Sequence, residues 1–93
     1  MIKSFRDKRT QELLTDGWAR GVPPDVARRA LEKLNAINRV HRVEELRYPG
    51  GNRLHVLAGD RAGQYSIAVN RQWRICFSFV QGHAYDVEFC DYH

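Results

Sequence analysis

The sequence predicts an α+β fold, with two N-terminal helices packed on one face of a twisted antiparallel sheet. Three observations predict it. Apolar residues recur at three- and four-residue steps up to Pro49-Gly50-Gly51-Asn52, which is helical periodicity. Beyond that point apolar and polar residues alternate with period two, the pattern of strands with one buried face. The chain has 93 residues, enough for one hydrophobic core, so residues 1–93 are expected to form a single domain.

The opening Met1-Ile2-Lys3-Ser4-Phe5 alternates and is expected to be a short edge strand. A first helix is expected from Asp7 to about Thr15, with Leu13 and Leu14 turned inward and Gly17 as the stop signal. Pro23-Pro24-Asp25 starts a second helix, because proline suits a first turn and a carboxylate suits the positive end of the helix dipole. Ala27, Ala30, Leu31, Leu34 and Ile37 form its apolar stripe, with Arg28, Arg29, Lys33 and Arg39 on the other side.

Four strands follow, over 53–57, 64–69, 73–80 and 84–90. One face of the last three carries Tyr65, Ile67 and Val69, then Trp73, Ile75, Phe77 and Phe79, then Tyr85, Val87 and Phe89. Residues directly opposite share a side, so pairing odd positions with odd positions requires loops of odd length. The turns are therefore expected at 70–72 and 81–83, three residues each, with a six-residue connection over 58–63. The other face then carries Arg53, His55, Ser66, Ala68, Arg74, Cys76, Ser78, Asp86, Glu88 and, at the end, Tyr92. No element remains to cover it, which makes it a candidate binding surface.

Composition narrows the class. The charged fraction of 28%, with two Trp, four Tyr and four Phe, argues against disorder. No run of about 18 apolar residues is present, and the first thirty residues lack an apolar h-region. A cytoplasmic protein without a membrane association is the expectation. Cys76 and Cys90 make neither a disulfide framework nor a zinc spacing, and are expected as two reduced thiols half-buried in strands. The formal charge is +4, and the excess falls in residues 1–50, with 11 Lys+Arg against 7 Asp+Glu. That bias suits an anionic partner, though a solvated helix face explains it as well.

The groups best suited to chemistry are His55, Arg74, Asp91, Tyr92 and His93, expected around one edge of the sheet with Arg74 between His55 and the terminal residues. Such groups suit metal-independent cleavage of a ribose–phosphate backbone. A base takes the 2′-OH proton and an acid protonates the leaving 5′-oxygen, roles that imidazole fills near neutral pH. A guanidinium can stabilise the charge building on phosphorus, and a phenol can stack on a splayed base. A solvated polar face is the plainer reading. A metal site of Asp91, His93 and His55 is a third, which the spacing does not demand, and no cofactor is expected. His41 and His83 are expected in solvent, without a role. Gly59-Asp60-Arg61-Ala62-Gly63 opens no helix and so is not a phosphate-binding loop.

The stretches Gly51-Asn52-Arg53-Leu54-His55, Gly59-Asp60-Arg61-Ala62-Gly63-Gln64-Tyr65-Ser66-Ile67, Trp73-Arg74-Ile75-Cys76-Phe77, Tyr85-Asp86-Val87-Glu88 and Asp91-Tyr92-His93, together with the opening Met1–Phe5, resemble the HigB toxins. These belong to the RelE superfamily of type II toxin–antitoxin systems. The resemblance implies a RelE-like microbial RNase fold and a ribosome-dependent mRNA endonuclease acting in the ribosomal A site. The 2′-OH attack would leave a 2′,3′-cyclic or 3′ phosphate and a 5′-hydroxyl. By position it places the catalytic residues on His55, Arg74, Asp91, Tyr92 and His93. It also implies a HigA-type helix-turn-helix antitoxin as partner, with DNA reached only through that antitoxin. Arg28, Arg29, Lys33, Arg53 and Arg61 are the expected contacts to RNA or the ribosome, with the helical cations docking away from the catalytic face. Two positions depart from the family pattern. Ala58 stands where a lysine is common and Ala68 where an arginine is common, so a catalytically weak homologue acting mainly as an antitoxin-binding co-repressor module is the alternative.

Overall fold

The structure is a computed structural model and describes residues 1–91. Helix α1 spans Lys8–Asp16 and helix α2 spans Pro24–Arg39. The Asp7 carboxylate caps α1 by accepting from the Thr10 N–H at 2.9 Å, and Gly17 ends the helix in the left-handed region at φ 80°. Pro23 and Pro24 start α2, which buries Val26, Ala27, Ala30, Leu34 and Ile37. Short 3-10 turns follow at Val43–Arg47, Gly50–Asn52 and Gly59–Arg61.

The four strands are β1 (His55–Val56), β2 (Tyr65–Ala68), β3 (Trp73–Val80) and β4 (His83–Asp91), antiparallel and in the order β1-β2-β3-β4. The helices cover one face, where Leu13, Leu34, Ile37, Ile67, Ile75, Phe77, Val87 and Phe89 are all fully buried. The α+β expectation therefore holds. The expected registers of the first two hairpins also hold. Val56 pairs with Tyr65 across the six-residue connection, and Ile67 pairs with Ile75 across the three-residue turn.

The last hairpin departs from expectation. Its turn is two residues, Gln81-Gly82, both with positive φ (49° and 84°), so Val80 pairs with His83 and Ser78 with Tyr85. An even loop pairs odd positions with even ones. A bulge at Asp86, with φ 54°, then inserts one residue and restores the pairing of Ile75 with Phe89. Tyr85 thus leaves the core face for the side of Ser78, and Ala84, fully buried, takes the inward place. Asp86 is exposed at the bulge, and His83 is the half-buried first residue of β4 rather than part of a turn.

Strand β1 is shorter than expected because residues 50–52 wind into a 3-10 turn and Arg53 adopts φ 49°. The N-terminal segment lies parallel to β4, with bridges from Ile2 to Ala84 and from Phe5 to Val87. The Ser4 hydroxyl accepts from the Asp86 N–H at 2.9 Å, satisfying a donor that the bulge removes from the ladder. Further along, α1 takes over that edge. Thr10 Oγ1 accepts from the Phe89 N–H at 2.8 Å, and Arg9 donates to the Phe89 carbonyl at 3.0 Å. The strand is therefore fixed two residues before Asp91.

Candidate functional site

The side of the sheet away from the helices is organised in rows. His55, Ser66, Cys76 and Glu88 stand opposite one another across the four strands, and Ala68, Arg74 and Cys90 form the next row. Ser66, Ala68 and Cys76 are buried on this side. Arg74 crosses from β3 towards β1, donating from Nε to Ser66 Oγ at 2.9 Å and from Nη2 to the Arg53 carbonyl at 2.9 Å. Arg61 spans the far end and bonds Glu88 at 2.7 Å, which raises its already high pKa.

A cleft of about 910 Å³ opens beside Arg74. Four arginines line it among the described residues: Arg29 from α2, Arg53 before β1, Arg71 from the β2–β3 turn, and Arg74. Ala68 and Gly51 also line it. The turn is well built, since Asn70 Oδ1 accepts from the N–H groups of both Gln72 and Trp73 at 2.8 Å. Gln72 Nε2 in turn donates to Asp91 Oδ2 at 3.2 Å. The carboxylate is thereby brought to the same turn that carries Arg71.

Contrary to the expectation of one shared edge, the described candidates His55, Arg74 and Asp91 are spread across the sheet. His55 lies on β1 and Asp91 on β4, the two outer strands, separated by three strand spacings, about 14 Å. Asp91 pairs with Trp73 and so shares its side of the sheet, whereas His55 shares the side of Ser66. Arg74 lies on a central strand between them. Tyr92 and His93 lie outside the described residues, as does the metal reading that needs His93.

The expected RNA contacts divide as well. Arg28 is exposed on α2, and Arg29 and Arg53 face the cleft. The helical cations are therefore not wholly remote from the candidate site, since α2 packs so that Arg29 reaches it. Lys33 is half-buried and donates from Nζ to Asn52 Oδ1 at 2.6 Å, while the buried Asn52 amide holds the carbonyls of Leu46 and Tyr48. Arg61 is committed to Glu88. Sequence reasoning missed Arg71. Its signal was present: a cation in a tight turn, three residues before Arg74.

Residues 3–93 match the family of HigB-like toxins, described as RelE-like toxins of type II toxin–antitoxin systems. The chain belongs to the HigB-like toxins. This HigB-like toxin is 41% identical to Endoribonuclease HigB of Proteus vulgaris over 97 residues, covering the whole of both chains. It is 33% identical to Toxin HigB-1 of Vibrio cholerae serotype O1 (strain ATCC 39315 / El Tor Inaba N16961) over 85 residues, or 90% of each. Among solved structures, the YoeB-YefM complex from Staphylococcus aureus contains a similar fold. That match has a TM-score of 0.60 and 16% identity, and covers 100% of this toxin and 98% of that chain. The fold and the family expected from the sequence are thus both found. Among the described residues, no helix of the toxin is long and apolar enough to cross a membrane.

Proposed function

We propose that this HigB-like toxin is an endoribonuclease that cuts messenger RNA in the ribosomal A site, without a metal, by attack of the 2′-OH on the adjacent phosphate. The observation that carries this reading is Arg74. It is aimed by Ser66 and Arg53 along a cleft with three further arginines, next to the turn that meets Asp91. Fixed guanidinium groups hold phosphate oxygens and stabilise the charge that grows on them.

In this reading Arg29, Arg53 and Arg71 hold the flanking phosphates and Arg74 the scissile one. Asp91 anchors the end of β4, from which Tyr92 stacks on a base. His55 and His93 exchange protons with the 2′-oxygen and the 5′-oxygen. The arginines at 29 and 71 supply cations where Ala58 and Ala68 provide none, which favours the nuclease over a catalytically weak module. The Proteus vulgaris relative, named an endoribonuclease, supports the same reaction class. A HigA-type antitoxin is the proposed protein partner, the ribosome and its mRNA are the proposed substrate complex, and the cytoplasm is the compartment where they meet.

The test is 5′-end mapping of a defined mRNA incubated with the purified toxin, with and without programmed ribosomes. Cuts at one codon position in the presence of ribosomes, lost in Arg74→Ala, are expected. Cuts of equal rate on free RNA overturn the ribosome dependence, and no cuts under either condition overturn the nuclease.

A further inference from the structure

The polar side of the sheet also brings two thiols together. Cys76 on β3 and Cys90 on β4 are diagonal neighbours, with Cys76 opposite Glu88 and Cys90 opposite Arg74. Their sulfurs lie 3.1 Å apart, so a disulfide of about 2.05 Å needs them to close by only about 1 Å. Cys76 is buried and Cys90 is partly exposed, which leaves one side open to a small reagent.

The pair is also electronically unequal. The hydrogen bond from Cys90 pulls the Cys76 thiol down to about 7, helped by the nearby Arg61 and Arg74, while the same bond pushes Cys90 up. Near neutral pH Cys76 is therefore partly thiolate, while Cys90 keeps its proton. That is the division of labour between an attacking and a resolving cysteine.

We propose that Cys76 and Cys90 form a peroxide-oxidisable dithiol whose disulfide clamps β4 to β3 and slows RNA cleavage. The thiolate attacks one oxygen of a hydroperoxide, the O–O bond breaks, and hydroxide (or alkoxide) leaves, giving a sulfenic acid. The neighbouring thiol then attacks that sulfur, the S–O bond breaks, and water leaves with the thiol proton as S–S forms. The two sulfurs are oxidised by two electrons and the peroxide is reduced. Cys90 stands opposite Arg74 and directly before Asp91, so drawing it across shifts the frame in which both are held. The effect on cleavage rests on the proposed nuclease function. The oxidation itself does not.

The test uses the full chain, reduced and then treated with hydrogen peroxide at slight molar excess. Both thiols are expected to vanish together, with loss of two hydrogens by mass, no dimer, and full recovery with a reductant. The clamp closes a loop across 14 positions, so the thermal midpoint is expected to rise by at least about 5 °C. Misplacing catalytic groups by about 1 Å costs up to about a hundred-fold, and cleavage on ribosomes is expected to fall at least about ten-fold. Cys90→Ser should stop at the sulfenic acid, trapped by a dimedone probe, and keep its midpoint unchanged. Persistence of both thiols, intermolecular cross-links, or closure that leaves cleavage at its reduced rate would each overturn the proposal. If the reduced protein cuts no RNA, the nuclease reading fails, and the clamp is then judged by thiol loss and thermal midpoint alone.

Discussion

Arg74 Nε donates at 2.9 Å across the β2–β3 ladder to Ser66 Oγ, the hydroxyl of a serine that is itself fully buried. The serine fixes one edge of the guanidinium, and the Arg53 carbonyl fixes an Nη2 proton at 2.9 Å. Arg74→Ala removes the cation aimed at the phosphate and is expected to slow cleavage by about 10²–10³-fold. Ser66→Ala leaves the cation but frees its aim, and the loss of one charge-assisted bond should cost about ten-fold in rate. Single-turnover cleavage on programmed ribosomes measures both. A Ser66→Ala rate equal to wild type would show that the serine does not position Arg74.

Arg29 and Arg71 reach the cleft from different elements, so their electrostatic contributions should add. Charge reversal at either should weaken ribosome or RNA binding, and each removed phosphate contact should lower the slope of log K against log salt by about one. Titrations of Arg29→Glu and Arg71→Glu between low and physiological salt give that slope. Arg28→Glu, exposed on the same helix and outside the cleft lining, should change it less.

Most of the fold was legible because it rests on periodicity. The stripe on α2 and the alternation on β3 each place a continuous apolar face, and the parity of a loop then fixes register. That logic succeeded at the connections 58–63 and 70–72. It failed at the last hairpin because parity can be satisfied in two ways: by an odd loop, or by an even loop followed by a bulge. The Gln81-Gly82 dipeptide suits a two-residue turn, but Asp86 gives no apolar signal that it is the extra residue. The way the elements meet around the cleft was less legible than the fold. Arg74 follows from strand alternation, whereas Asp91 falls on the Trp73 side, and the approach of Arg29 depends on how α2 crosses the sheet, which no local pattern encodes.

The bulge makes its own prediction. Asp86 holds φ 54°, a region that a β-branched residue enters only at a cost of about 1–2 kcal/mol. Asp86→Val is expected to lower stability by that amount and Asp86→Gly to maintain or raise it, read by urea denaturation. Equal stability of the two variants would mean that β4 pairs without the bulge.

Asn52 is buried, and its amide donates to the carbonyls of Leu46 at 3.1 Å and Tyr48 at 3.3 Å while its oxygen accepts from Lys33. Asn52→Ala strands those carbonyls and should cost about 2 kcal/mol. Lys33→Met removes one partner at a half-exposed position and should cost about 1 kcal/mol. If Lys33 serves the loop rather than the ribosome, Lys33→Met will lose stability yet bind ribosomes as wild type does. A large fall in affinity without a fall in stability would return Lys33 to the RNA contacts.

Cys76 offers a pH signature that the fold alone produces. An ordinary cysteine reacts as a thiolate with a midpoint near about 8.5. The hydrogen bond from Cys90, with Arg61 and Arg74 close by, brings Cys76 down to about 7. Reaction with a small neutral alkylating agent should therefore be slow below pH 7, where the thiol holds its proton. It should rise through pH 7 and level off before the range in which free cysteine is still climbing. Cys90→Ala removes the donor, and the midpoint for Cys76 should move upward towards the ordinary value while the two arginines keep part of the depression. A midpoint that stays near 7 in Cys90→Ala would assign the shift to the arginines. A midpoint near 8.5 in the wild type would mean that the two sulfurs do not share a proton in solution.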